Sequence, residues 1–98
     1  MKEKKAGIGG VVVSNIYSGF YERVYFAGMP SEDSFSLVYQ TAYTQPKCND
    51  SVENVQERLQ LFYPLDTKEV EFPGRKPFKI KIENVTPTEL TALVDKEF

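Results

Sequence analysis

Residues 78–94, which read FKIKIENVTPTELTALV, decide the predicted fold. In the first half of this segment, Phe78, Ile80 and Ile82 alternate with lysines and a glutamate. Alternation with a period of two is typical of a strand that buries one face. The segment therefore predicts a strand with a charged outer face.

The second half of the segment predicts a C-terminal helix. Thr86 can cap a helix, Pro87 suits its first position, and Glu89 completes a capping box three residues after the cap. The apolar stripe of this predicted helix consists of Leu90, Leu93 and Val94.

The chain before this unit predicts mainly strands. Residues 1–10, basic and then glycine-rich, are expected to form a flexible lead-in, and residues 11–98 a single α+β domain. β-branched and aromatic runs predict four strands, the first two joined as a hairpin at Ser18–Gly19. These strands cover residues 11–17, 21–26, 35–43 and 68–72.

Residues 51–64 fit two structures. A helix face that follows an Asp50 or Ser51 cap fits Val52, Val55, Leu59 and Phe62. Residues 59–63 (LQLFY), however, also predict a strand that stops at Pro64. We expect a short helix or turn that runs into a strand. The predicted fold class is α+β, an antiparallel sheet with one or two helices, one of them C-terminal.

The composition excludes several kinds of chemistry. The 98 residues contain no histidine and one cysteine, Cys48, so histidine-based catalysis and a four-cysteine zinc site are excluded. The carboxylates (Asp50, Glu53 and Glu57; Glu69 and Glu71) lack a metal-loop spacing and predict solvated faces. We expect a non-enzymatic protein with no catalytic residue, metal or cofactor. A cytoplasmic setting is the default for a chain that cannot form an internal disulfide, and no stretch approaches the length of a membrane span.

Two groups of side chains are candidate binding residues, and each fits two interpretations. Tyrosines around Arg23 could stack RNA bases or form cross-strand pairs, and a basic cluster could follow a phosphate backbone or block a sheet edge. The net charge of −2 argues against non-specific coating of nucleic acid. The candidate residues are Tyr21, Arg23, Tyr25, Tyr39, Tyr43, Arg75, Lys76, Lys79 and Lys81.

Four segments, in order along the chain, resemble the RAMP superfamily of CRISPR-associated proteins, in particular the backbone subunits of type III effectors. Residues 78–93 resemble its charged strand, "-EN-(Leu/Val)-Thr-" corner and following helix. Residues 23–28 (RVYFAG) are similar to its "Gly-Arg-Val-x-Phe-Ser-Asp" strand, with Ala27 and Gly28 in place of the Ser and Asp. Residues 45–47 (QPK) and 73–76 (PGRK) are similar to its Pro-Lys loop and glycine-arginine turn.

This resemblance implies a ferredoxin-like, RRM-like α+β fold and a role along the guide RNA of an effector complex. The family's catalytic loop aspartate has no counterpart here, so no catalytic residue is carried over. The leading hypothesis is a non-enzymatic RNA- or complex-binding module, or a viral mimic that inhibits such a complex (an anti-CRISPR protein). Its expected partners are protein subunits of a larger complex and single-stranded RNA, with no membrane and no small-molecule substrate. The alternative is a small β-rich protein-interaction or viral structural module with no nucleic-acid role.

Overall fold

Eight strands make two four-stranded antiparallel sheets in this computed structural model, which describes residues 2–47, 50–72 and 77–94. The first sheet has the order β1-β8-β7-β6, and the second has the order β2-β3-β4-β5. The strands are β1 Lys2–Gly7, β2 Val11–Tyr17, β3 Phe20–Phe26, β4 Ser34–Lys47, β5 Asp50–Pro64, β6 Glu69–Phe72, β7 Phe78–Val85 and β8 Glu89–Val94.

The two sheets pack face to face around one apolar core. Because side chains alternate across a strand, each sheet has an inner face toward the other sheet and an outer face away from it. In β3, Val24 and Phe26 are fully buried on the inner face, and in the first sheet Ile80 and Leu90 are fully buried opposite them. The architecture is a two-layer β-sandwich.

Three aromatic rings connect the layers. Phe72 on β6 stacks on Tyr39 of β4 at 5.5 Å between ring centroids, and on Phe78 of β7 at 5.3 Å. Phe72 is 2% exposed, so the ring is surrounded by both sheets. Stacked aromatic pairs add to the stabilisation that burial of their area provides.

The predicted α+β class, with its C-terminal helix and ferredoxin-like or RRM-like fold, is wrong, because no residue in the described ranges is helical. Thr86 makes the local bonds expected of a cap, since its Oγ1 accepts a hydrogen bond from the Glu89 N–H at 3.0 Å. Its own N–H, however, donates to the Glu89 carbonyl at 2.8 Å, which closes a hairpin turn between β7 and β8. A threonine side chain can satisfy backbone donors in a turn as it does in a helix cap.

The period of the following residues explains why the chain continues as a strand. Leu90, Ala92 and Val94 are all buried, while Thr91 and Leu93 between them are half-buried. β8 pairs with β7 on one side and β1 on the other, so both of its edges are hydrogen-bonded. This central position in a sheet outweighs a local helical preference.

The helical interpretation of residues 51–64 is also wrong, and the strand interpretation of residues 59–63 is confirmed. β5 pairs with β4 from Asp50 to Pro64, with a register shift near Gln56. The four residues proposed as a helix face therefore do not share a face: the register places Leu59 opposite inner-facing Tyr39, but Val55 and Phe62 opposite outer-facing residues of β4. The break predicted at residues 45–50 is wrong for its described residues, since β4 continues to Lys47 and β5 begins at Asp50.

The lead-in expected over residues 1–10 contains a strand. Lys2–Gly7 forms β1, antiparallel to β8, and Ala6 is buried in the core. Gly9 has a positive φ of 81° in the turn that follows, which favours glycine. The predicted strands over residues 11–17, 21–26, 35–43, 68–72 and 78–83 are confirmed, as is the first hairpin. The turn predicted at Pro73–Gly74 lies outside the described residues.

We expect the Phe72→Ala variant to lose about 3–5 kcal/mol of unfolding free energy, because it removes the ring between the sheets and leaves a cavity. The matched control is Phe62→Ala, since Phe62 is 61% exposed and its removal should change stability by about 1 kcal/mol or less. Urea unfolding measures both. Equal losses for the two variants would contradict the packing described here.

Candidate functional site

The four candidate tyrosines and Arg23 do not share one surface. The register of β3 and β4 places Tyr21, Arg23 and Tyr25 on the outer face of the second sheet, and Tyr39 and Tyr43 on the inner side. Tyr21 is 2% exposed and Tyr39 is 8% exposed, whereas Tyr43 is 50% exposed. The expected set of adjacent stacking rings is therefore divided between two faces of the sheet.

The inner face carries a buried polar pair. The Tyr39 hydroxyl donates a hydrogen bond of 3.1 Å to the Glu22 carboxylate, which is fully buried. Burial raises the pKa of Tyr39 far above its ordinary value, and the nearby charge of Glu22 raises it further. Asn15 lies opposite Glu22 on β2, and its buried Nδ2 has no hydrogen-bond partner among the described residues.

The outer face carries a polar network that crosses four strands. Arg23 donates from Nε to the Ser14 hydroxyl at 3.2 Å, and its guanidinium carbon lies 3.9 Å from the centroid of the Tyr21 ring. Gln40 Nε2 donates to the Tyr21 hydroxyl at 2.8 Å, and Arg58 Nη1 donates to Gln40 Oε1. Arg23 and Tyr21 are thus held by contacts within the sheet, as a cross-strand interpretation expects.

The described part of the predicted basic cluster lies beside carboxylates. Lys79 is 3.6 Å from Glu69 between Nζ and Oε1, and it stands opposite Glu71 in the β6–β7 register. Lys81 stands opposite Glu69 in the same register. The outer face of β6 and β7 therefore alternates in charge. Arg75 and Lys76 lie outside the described residues, as does Cys48.

β5 is the edge strand of the second sheet and the most exposed strand of the described chain. Residues 54–60 are all exposed, and β5 pairs only with β4 among the described strands. Three of its large apolar side chains are open to solvent: Val55 is 52% exposed, Leu59 46% and Phe62 61%. A long edge strand with exposed apolar side chains is a template for pairing with another chain.

The other three sheet edges are less suited to pairing. β2 has seven residues and a register shift between Val11 and Val13, and β6 has four residues. β1 presents the charged run Lys2–Lys5. Bulges, short strands and charges are the features that protect an edge from unwanted pairing.

Two kinds of site are not found in the described residues. No group of three or more His, Cys, Asp or Glu residues in this part of the chain could hold a metal ion. None of the described residues belongs to a helix long and apolar enough to cross a membrane. Compared with known proteins, the chain matches no family model, no curated protein and no solved structure.

Sequence reasoning missed Glu22, Gln40 and Arg58. A signal for Glu22 was present, because the alternation of β3 places this carboxylate on the same face as Val24 and Phe26. Arg58 was obscured by the helical interpretation of residues 51–64. Once that segment is a strand, Arg58, Gln60 and Phe62 fall on one face.

We predict that Tyr39 makes the unfolding free energy decrease as the pH rises in the alkaline range. Its pKa in the folded protein is raised above the unfolded value of 10.0, so its contribution is complete below about pH 10 and is lost as the pH rises toward the folded pKa. Thermal unfolding between pH 8 and 11 should therefore show a steeper loss of stability in the wild type than in Tyr39→Phe. Parallel curves for the two proteins would refute a buried neutral Tyr39.

Proposed function

We propose that this protein is a non-enzymatic interaction module that binds an extended segment of a partner protein along the edge of β5. The observation that carries the proposal is the exposure of Leu59 and Phe62 on this edge strand. Partner strands that add to a sheet edge gain main-chain hydrogen bonds, and alternate side chains provide specificity.

The regular part of the edge defines the length of the segment that it can bind. Between Glu57 and Pro64, β5 pairs with Thr41 through Ser34 without interruption, and the register shifts on the other side of Glu57. The strand has Leu59 on its inner side and Phe62 on its outer side. A partner strand of about six residues would thus cover one exposed apolar side chain on each face.

RNA contact in a RAMP-type complex stays a prediction. The described residues give it less support, because the tyrosines divide between two faces and Lys79 and Lys81 lie beside carboxylates. The same holds for a viral mimic of a CRISPR subunit, although such a mimic would also need a protein-binding surface. The proposal retains the expectation of a cytoplasmic setting, which rests on a single cysteine.

Selection from a library of random linear peptides tests the proposal. We expect the enriched peptides to bind the wild type and to bind the double variant Leu59→Lys/Phe62→Lys at least about tenfold more weakly, because two apolar contacts are replaced by charges. The matched control is Ile16→Lys, since Ile16 is 61% exposed on the opposite edge strand β2. It should bind like the wild type in fluorescence titrations.

Two results would overturn the proposal. One is that no peptide is enriched, or that the enriched peptides bind the double variant as tightly as the wild type. The other is binding of single-stranded RNA that weakens as salt rises and is lost in Lys79→Glu/Lys81→Glu, with no peptide enriched. That second result would indicate that the partner is RNA rather than a protein.

A further inference from the structure

The outer face of the second sheet contains an open pocket of about 460 Å³. Its walls include the side chains of Ile8, Tyr25, Val38, Gln40 and Arg58. One side of the pocket is apolar and the other ends in a guanidinium group. Among the described residues, no acidic side chain lines it.

The apolar wall is held in place by the turn between β1 and β2. The Gly9 N–H donates to the Phe26 carbonyl at 2.7 Å, and the Phe26 N–H donates to the Gly10 carbonyl at 3.0 Å. These bonds fix the turn to the end of β3 and leave Ile8 62% exposed at the pocket. Because Ile8 is held in place and exposed, an apolar ligand that covers it would bury apolar surface, which favours binding.

The charged wall is fixed by the polar network of the outer face. Arginine can only donate hydrogen bonds, so the Gln40 amide must turn Oε1 toward Arg58 and Nε2 toward the Tyr21 hydroxyl. This leaves one orientation for the amide and anchors the guanidinium through one of its five N–H groups. In the described part of the chain, no carboxylate lies within 4.0 Å of Arg58.

We propose that this pocket binds a small amphipathic anion. The anionic head would bind the remaining N–H groups of Arg58, and the apolar body would lie against Ile8, Val38 and the Tyr25 ring. A guanidinium matches the oxygens of carboxylate and phosphate groups, and a preorganised one loses less entropy on binding. Pockets that bind ligands commonly combine an apolar lining with a few placed polar groups. The proposal departs from the sequence-based expectation that no small molecule is bound.

Isothermal titration with octanoate, octyl phosphate and octanol tests this proposal and distinguishes the head groups. We expect octanoate or octyl phosphate to bind the wild type and to bind Arg58→Gln at least about tenfold more weakly, because charge-assisted hydrogen bonds are lost. Octanol should bind more weakly than the anions, and equally to both proteins. The stronger of the two anions identifies the head group.

Two further variants distinguish the contributions of the apolar wall and the charged wall to binding. Ile8→Ser removes apolar contact and should weaken binding of the anions and octanol alike. Lys81→Gln is the matched control, since it removes one positive charge from the exposed face of β7 in the first sheet, outside the pocket lining and outside the polar network. It should bind octanoate like the wild type. Absence of anion binding, or anion binding that Arg58→Gln leaves unchanged, would overturn the proposal.

Discussion

The stacking of Phe72 between Tyr39 and Phe78 is the interaction on which the rest of the structure depends. It joins β4 of the second sheet to β6 and β7 of the first sheet. It also fixes the inner face of β4, so that the Tyr39 hydroxyl reaches the buried Glu22 carboxylate. Since a strand alternates its faces, an inward Tyr39 requires that Gln40 point outward, where it connects Tyr21 to Arg58. The stacking of Phe72 thus sets which side chains of β4 lie on the inner face of the second sheet and which lie on its outer face.

Strands with simple alternation could be predicted from the sequence, and the turn chemistry could not be interpreted uniquely. The predicted strands over residues 21–26 and 78–83 are confirmed because a period of two admits few alternatives. The segment from Thr86 to Glu89 predicted a helix because a cap and a hairpin turn use the same threonine hydroxyl bonds. Only the pairing of β8 with β1 and β7 decides between them. The pairing with β1 joins residues far apart in the chain, beyond the reach of a local pattern.

The candidate surfaces could be predicted only in part from the sequence. Tyr21, Arg23 and Tyr25 share a face as their spacing predicts, but the sequence could not show that Tyr39 and Tyr43 lie on the opposite face, because this depends on the β3–β4 register. The basic cluster looks continuous in the sequence because Glu69 and Glu71 are several residues away from the lysines along the chain, whereas the sheet places them side by side. The exposed edge and the pocket both depend on β5, which the sequence left ambiguous.

The central claim is that β5 is a strand with one edge open to a partner. Amide hydrogen exchange along β5, measured by NMR at low protein concentration, tests this claim most directly. An edge strand paired with β4 alone should protect every second amide between Glu57 and Tyr63 and leave the amides between them in fast exchange, because only half of them donate to β4. Continuous protection across this stretch would show that β5 is a helix or that its edge is already covered. Either result would contradict an edge that is open to a partner strand.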